Sequence, residues 1–254
     1  MKHKYIIVVL FLMVAGMQIT WAQKMVVTKS DNTKIEIALS EVKEVTFEET
    51  EADPHEYVDL GLPSGTLWAT CNIGANSPEE YGDYFAWGET DSKDDFDWRT
   101  YQYCKGSYGT LTKYCCDNSY GNNGFTDSLT ELLNEDDAAT ANWGSEWQMP
   151  SKEQCEELIN SDYTTLKWTW QDGVHIISKT NGKSIFLPAA GGCRDDGYSI
   201  DEDVIGFYWS RTLCSSVTYD AEFLGIFSRE DYRDMFVSAH LRMCGFPIRP
   251  VRKQ

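Results

Sequence analysis

The acidic residues of this sequence have the spacing that comes closest to that of a metal-binding site. Aspartates cluster within residues 94–97 and again within residues 201–203. Carboxylate oxygens are the ligands that Ca²⁺ prefers, so each cluster could hold calcium in an irregular loop. Charged loops that only face solvent have the same composition, and we favour that interpretation over a metal site. The weak calcium candidates are Asp94, Asp95, Asp97, Asp201 and Asp203.

The segment that begins at Asp201 resembles the start of a calcium-binding EF-hand loop but does not continue as one. An EF-hand needs an oxygen ligand at its fifth position and a glutamate at its twelfth position. This sequence has Ile205 and Thr212 at those positions. An EF-hand is therefore excluded, and no cofactor other than this optional calcium is predicted.

Trp98 is the tryptophan that we expect to be exposed, because it stands in the acidic segment 94–99. Exposed aromatic rings stack on sugars or on partner side chains, whereas buried rings fill a core. Trp98 is therefore a weak candidate for a ligand-binding residue. Other tryptophans lie in strand-like contexts and are predicted to belong to the core, namely Trp68, Trp87, Trp147 and Trp209.

The first residues of the chain are typical of a secretory signal peptide. A short basic start, residues 1–4, precedes an apolar run over residues 5–16, and Thr20-Trp-Ala22 places small residues at the cleavage position. We expect the mature chain to begin at Gln23, to be secreted or displayed at the cell surface, and not to insert into the membrane after cleavage. Because residue 23 is not cysteine, a lipoprotein anchor is not expected.

The charge of the chain is strongly acidic. The full sequence has 22 basic and 40 acidic residues, and removal of Lys2 and Lys4 with the leader leaves 20 against 40, a net charge of −20. Such a chain repels nucleic acid and anionic membrane surfaces, so neither is expected as a partner.

Cysteine and histidine show no catalytic pattern. Only His55, His175 and His240 remain in the mature chain, and no two cysteines have the Cys-x-x-Cys spacing of zinc knuckles and redox pairs. We therefore predict no catalytic residue.

Export permits disulfides, and several are expected among the eight cysteines, although the sequence does not determine which residues pair. The eight cysteines are Cys71, Cys104, Cys115, Cys116, Cys155, Cys193, Cys214 and Cys244.

Four parts of the chain are predicted from these patterns. Residues 1–22 are the signal peptide, 23–49 a small β element, 50–56 a linker and 57–254 one large domain. In the β element, Met25–Lys29 and Lys34–Leu39 flank a turn and predict a hairpin, with a further strand at Val45–Phe47. Ile35, Ile37 and Leu39 alternate with polar residues, which predicts one buried face.

The large domain is predicted to be α+β, with many short strands and few helices. One helix is expected over Thr126–Asn134, where leucines recur at helical spacing. Another should start after Pro150, because Ser151 and Gln154 have the spacing of a capping box and Cys155, Leu158 and Ile159 form an apolar stripe. The preceding Trp147 is then the extended entry to a docked helix.

Several motifs, in order, resemble the Fibrobacter succinogenes major paralogous domain family. They are YVDLGLPSGTLWATCNIGANSPEEYGDYFAWGET (57–90), EDDAATANWGSEWQMPSKEQCEELI (135–159), NGKSIFLPAAG (181–191), FYWSRT (207–212) and GFPIRPVR (245–252). The resemblance covers most of the mature chain. It implies a C-type-lectin-like fold, distantly similar to formylglycine-generating enzyme, in a protein exported by a gut anaerobe.

The resemblance implies a scaffold rather than a chemistry. The closely spaced cysteine pair that holds copper in formylglycine-generating enzyme has no counterpart here, and the calcium- and sugar-binding tripeptides of true C-type lectins are also missing. We therefore expect a non-enzymatic binding or adhesion module that recognises a surface glycan or protein through loops at 90–125 and 193–235. The alternatives are an oxidoreductase of the formylglycine-generating type and a structural component of a surface assembly.

Overall fold

The computed structural model describes residues 24–28, 33–43, 54–169, 173–194, 198–200, 204–229 and 232–252. The chain divides into two compact units, Met1–Ala52 and Asp53–Gln254. Among the described residues, no helix is long and apolar enough to cross a membrane. The signal peptide, the strand expected at Val45–Phe47, Asp201 and Asp203 all lie outside the described residues.

The small unit contains the expected hairpin. Strand β1 (Lys24–Thr28) pairs antiparallel with β2 (Lys34–Ala38), and a 3₁₀ turn follows at Leu39–Glu41. The expected burial of one face is wrong, because Ile35 is 44% exposed and Leu39 is 49% exposed. A two-stranded hairpin has no second layer of its own to bury its apolar face.

Where the structure describes the large unit, it consists of short antiparallel strands and two short α-helices, which confirms the α+β class in its general form. The helices are α1 (Ala138–Trp143) and α2 (Lys152–Leu158). The strands are β3 (Tyr57–Asp59), β4 (Leu67–Ala69), β5 (Trp147–Gln148), β6 (Thr164–Thr169), β7 (Gly173–Ser178), β8 (Ser184–Pro188), β9 (Gly192–Arg194), β10 (Tyr198–Ile200), β11 (Ile205–Leu213), β12 (Asp220–Ser228), β13 (Arg233–Leu241) and β14 (Val251–Arg252).

Four sheets arise from these strands. The long strands β11, β12 and β13 form one sheet in sequence order, and β6, β7 and β8 form another. Strands β9 and β10 make a hairpin. The fourth sheet has the order β3-β4-β14-β5. Strand β14 therefore lies between β4 and β5, which are far from it in the sequence.

Two buried clusters form the core of the large unit. One contains Trp87, Trp147 and Trp209, and the other contains Trp68 together with the apolar side of α2. Each of these four tryptophans is at most 1% exposed. Their prediction as core residues is confirmed.

Helix α2 starts as the sequence predicts. The Ser151 hydroxyl accepts the Gln154 backbone N–H at 3.3 Å, and the Gln154 side-chain oxygen accepts the Ser151 backbone N–H at 2.9 Å. Cys155 and Leu158 are buried against the core. Local capping and an apolar stripe therefore suffice to define this element.

The helix expected over Thr126–Asn134 is wrong, because this segment is extended and only Asn134–Asp136 forms a 3₁₀ turn. The Leu132 N–H donates to the Arg211 carbonyl at 3.0 Å, and the Leu213 N–H donates to the Thr130 carbonyl at 2.8 Å. Pairing with the end of β11 satisfies the backbone groups that a helix would have satisfied internally.

Candidate functional site

Four aromatic side chains meet on the surface of the large unit, and we call them the aromatic patch. Its members are Trp98, Tyr108, Tyr120 and Tyr219. Tyr108 lies 6.3 Å from Trp98, 6.2 Å from Tyr120 and 5.3 Å from Tyr219 between ring centroids, and Tyr120 lies 5.0 Å from Tyr219. Tyr108 is 52% exposed, and the other rings are half-buried. Trp98 is therefore less exposed than expected, but it belongs to a surface cluster.

A tight turn around Asp97 positions Trp98. The buried Asp97 carboxylate accepts the backbone N–H groups of Arg99, at 2.5 Å, and Thr100, at 3.1 Å. The Arg99 guanidinium also donates to it, and this hydrogen bond lowers the pKa of Asp97 despite burial. Asp97 is thus committed to holding the turn that carries Trp98.

Leu111 anchors the loops that carry Tyr108 and Tyr120. This fully buried residue donates its backbone N–H to the Tyr120 carbonyl at 2.8 Å, and its own carbonyl accepts from Asn122 at 2.8 Å. Gly121, which follows Tyr120, has no room for a side chain, because a Cβ atom there would lie 1.8 Å from the Phe125 carbonyl oxygen. Both tyrosines therefore project from a fixed double loop.

Tyr219 reaches the patch from a distant part of the chain. The buried Thr218 hydroxyl beside it accepts the Cys116 backbone N–H at 3.0 Å, and the Arg242 backbone N–H donates to the Tyr219 carbonyl at 3.1 Å. The first bond joins the turn before β12 to the loops of residues 91–125, and the second joins it to the residue that follows β13. The loops at 90–125 and 193–235, named from the sequence, thus both supply patch residues.

The polar atoms of the patch have no protein partner among the described residues. The hydroxyls of Tyr108, Tyr120 and Tyr219 and the indole N–H of Trp98 make no hydrogen bond there. Buried tyrosines of this unit differ, because each donates its hydroxyl to a carbonyl or a carboxylate. These donors are Tyr101, Tyr103, Tyr114 and Tyr208. The patch therefore offers apolar rings together with free hydrogen-bonding groups.

Beneath the patch lies a rigid aromatic layer. Trp98 contacts Tyr101 edge-on at 5.6 Å, and Tyr101 contacts Tyr103 at 5.9 Å. The fully buried Arg242 guanidinium lies 5.5 Å from the ring centroids of both Trp87 and Tyr101. The patch thus rests on packed rings and is held in place before any ligand binds.

The three calcium candidates within the described residues, Asp94, Asp95 and Asp97, do not converge. Asp94 is exposed, Asp95 is half-buried, and Asp97 is occupied by Arg99. Within the part of the chain that the structure describes, no three His, Cys, Asp or Glu side chains form a group that could hold a metal. The structure therefore does not assemble a ligand set from the three aspartates of segment 94–97.

The expected disulfides are not formed, because none of the eight cysteines is bonded to another. The Sγ atom of the fully buried Cys244 lies 3.4 Å from Nδ1 of His240. The Leu241 backbone N–H also donates to this nitrogen at 2.9 Å, and burial lowers the pKa of His240. A neutral imidazole that accepts from a buried thiol is a structural contact, because a reactive cysteine needs an accessible thiolate.

Three open cavities lie elsewhere on the large unit. Their volumes are about 380, 340 and 440 Å³. Their linings include His175 and Phe186 in the first, His55 and Trp143 in the second, and Tyr84 and Phe96 in the third. The aromatic patch lines none of these three cavities.

Comparison with known proteins adds no identification to this geometry. No family model, curated protein or solved structure matches the chain.

Proposed function

We propose that this protein is a non-enzymatic binding module, secreted or displayed at the cell surface, that contacts its ligand through the aromatic patch. The observation that carries the proposal is the convergence of Trp98, Tyr108, Tyr120 and Tyr219 from two distant segments. Within the part of the chain that the structure describes, their side-chain polar atoms have no hydrogen-bond partner. Tyrosine and tryptophan dominate recognition surfaces because each buries a large apolar ring while its polar end still makes hydrogen bonds.

We further propose that the large unit is a C-type-lectin-like domain of the Fibrobacter succinogenes major paralogous type. Support comes from its short antiparallel strands, its two short helices and the quoted sequence motifs. The closing motif at residues 245–252 ends in β14, which joins β4 and β5. In such an arrangement the sheets form the frame and the long loops are free to carry the binding surface.

The test is a binding screen of the purified chain starting at residue 23, against immobilised glycans and host proteins. The informative variant is Tyr108→Ala, and the matched control is Tyr232→Ala, because Tyr232 is 54% exposed and lies outside the patch. We expect Tyr108→Ala to weaken every specific interaction by about tenfold, while Tyr232→Ala binds as the unchanged protein does. If both variants bind normally, the patch is not the ligand surface.

The second candidate function is a structural role in a surface assembly. It is favoured by the open apolar face of the hairpin, where Ile35 and Leu39 are exposed. Exposed apolar surface on a strand pair is a site for association with another chain. Native mass measurement tests it, because assemblies that disappear in Ile35→Lys would support a structural role and a monomer would favour the binding module.

A further inference from the structure

Basic side chains near the aromatic patch are mostly committed to ion pairs within the protein. Three of the four lysines and arginines in residues 91–125 have acidic partners, and only Lys105 has none among the described residues. The pairs are Lys93 with Glu89 (2.8 Å), Arg99 with Asp97, and Lys113 with Asp136 (2.5 Å). These three cations are therefore already paired with acidic side chains of the protein.

Carboxylates beside the patch are not committed in this way. Asp117 is exposed and belongs to the turn that ends at Tyr120, whose backbone N–H donates to the Asp117 carbonyl at 3.1 Å. Asp220 follows Tyr219, and its buried Oδ1 atom has no hydrogen-bond partner. Neither side chain takes part in an ion pair among the described residues. Burial raises the pKa of Asp220 although the nearby Arg242 charge lowers it, so a further cation would favour the charged carboxylate.

The same protein already places cations on aromatic rings. Arg242 lies over Trp87 and Tyr101, and Arg252 lies 5.0 Å from the centroid of Tyr57. The patch rings are at most 6.3 Å from their nearest patch neighbours and touch one another, so they do not form a cage. A cation would therefore lie on the outer ring faces and not between the rings.

From these observations we infer that the ligand of the aromatic patch is a protein segment that presents arginine or lysine. The inference rests on the proposed function, since it assigns the chemistry of the partner to the same surface. A guanidinium stacks on tyrosine, donates to the phenolic oxygens and complements Asp117 and Asp220. The net charge of −20 of the chain that starts at residue 23 attracts such a partner over a distance, whereas an uncharged glycan gains nothing from it.

The experiment measures binding of three probes to the purified chain starting at residue 23. The first is a synthetic peptide of alternating arginine and glycine. The second is the same peptide with citrulline, which keeps the shape of arginine but carries no charge. The third is a neutral cello-oligosaccharide. Each probe is tested on the unchanged protein, Tyr108→Ala, Asp220→Asn and the control Tyr232→Ala, after circular dichroism and thermal unfolding show that every variant is folded.

We expect the arginine peptide to bind the unchanged protein and the Tyr232→Ala control equally. Tyr108→Ala should weaken it by about tenfold, and Asp220→Asn by about threefold or more. The citrulline peptide should bind about tenfold more weakly than the arginine peptide. Raising the salt from about 0.05 M to about 0.5 M should slow association by about tenfold.

Other results would overturn the inference in distinguishable ways. Equal binding of the arginine peptide to Tyr108→Ala and Tyr232→Ala would mean that the acidic surface attracts it without the patch. Patch-dependent, salt-insensitive binding of the oligosaccharide, without peptide binding, would keep the proposed function and reject the cationic partner. If no probe shows binding that depends on Tyr108, both the inference and the role of the patch are rejected.

Discussion

Trp87 and Trp209 each donate an indole hydrogen bond to the backbone of the other's segment. Nε1 of Trp87 lies 2.8 Å from the Ser210 carbonyl oxygen, and Nε1 of Trp209 lies 2.9 Å from the Phe85 carbonyl oxygen. Both rings are fully buried. This reciprocal pair fastens β11 to the loop that leads into the segment carrying Trp98.

The first prediction concerns this pair. Trp87→Phe and Trp209→Phe should each reduce the free energy of unfolding by about 1–3 kcal/mol, because a buried carbonyl loses its donor. Trp98→Phe is the matched control and should change it by less than about 0.5 kcal/mol, since the Trp98 N–H has no protein acceptor among the described residues. Chemical denaturation measures the free energy of unfolding of all three variants. An equal loss of stability in Trp98→Phe would contradict the role of the two indole hydrogen bonds.

The second prediction compares the cap of α2 with the ring that precedes it. Ser151→Ala removes the capping hydroxyl and should cost about 0.5–2 kcal/mol of unfolding free energy. Trp147→Ala empties a fully buried site and should cost about 3–5 kcal/mol. Ser128→Ala, at an exposed position, serves as the control. A Trp147→Ala protein as stable as the unchanged chain would rule out a core role for that ring.

The third prediction is a loss of stability at alkaline pH. Burial raises the pKa of Tyr208 to about 12 and also raises those of Tyr101, Tyr103 and Tyr114 above the ordinary value of 10.0. The unfolded chain therefore releases these protons first. The contribution of the neutral phenols is complete below about pH 10 and is lost as the pH rises from there towards 12.

The measurement is the free energy of unfolding between about pH 8 and about pH 11. Tyr208→Phe should reduce the alkaline loss, although it also removes the 2.6 Å hydrogen bond to the Pro188 carbonyl and lowers stability at neutral pH. Tyr108→Phe, at an exposed position, is the control and should leave the pH profile unchanged. A profile that is identical in Tyr208→Phe and the unchanged protein would contradict the assignment.

The fourth prediction concerns copper, and it tests the oxidoreductase alternative. A copper oxidase of the formylglycine-generating type needs two thiolates close together, because soft sulfur ligands favour Cu(I). We expect no stoichiometric copper after incubation with Cu(I) and desalting, and no oxidation of a cysteine-containing peptide. One tightly bound copper per chain, lost in Cys244→Ser or in a second cysteine substitution, would place the enzyme hypothesis first.

The fifth prediction concerns processing. Export should yield a chain that begins at Gln23, within about two residues, because small residues end the predicted leader. Intact-mass analysis of the exported protein measures this directly. A product that still begins at Met1 would reject the predicted signal peptide and, with it, the proposed location outside the cell.

Features set by neighbouring residues could be predicted from the sequence, and features set by distant pairing could not. The capping box at Ser151 involves residues three apart and is present as expected. The leucines of Thr126–Asn134 have helical spacing, yet their backbone groups pair with β11, which lies far along the chain. Periodicity carries no information about such a partner.

The aromatic patch shows the same limit. Trp98 was identifiable from its acidic surroundings, but Tyr108, Tyr120 and Tyr219 carry no local signal that distinguishes them from core tyrosines. What separates them is that, among the described residues, no carbonyl or carboxylate accepts a hydrogen bond from their hydroxyls, and that depends on the complete fold. The one hint in the sequence was the length and polarity of the loops in which they lie.

The position of β14 has a consequence for how the chain acquires its structure during synthesis. Strands β4 and β5 both pair with Val251–Arg252, so their common neighbour leaves the ribosome after β3 to β13. Until then, residues 57–148 lack the strand that completes their sheet and cannot close it. The order of synthesis thus delays folding until this segment is present, and a chain truncated before Val251 should be recognised by proteases as unfinished.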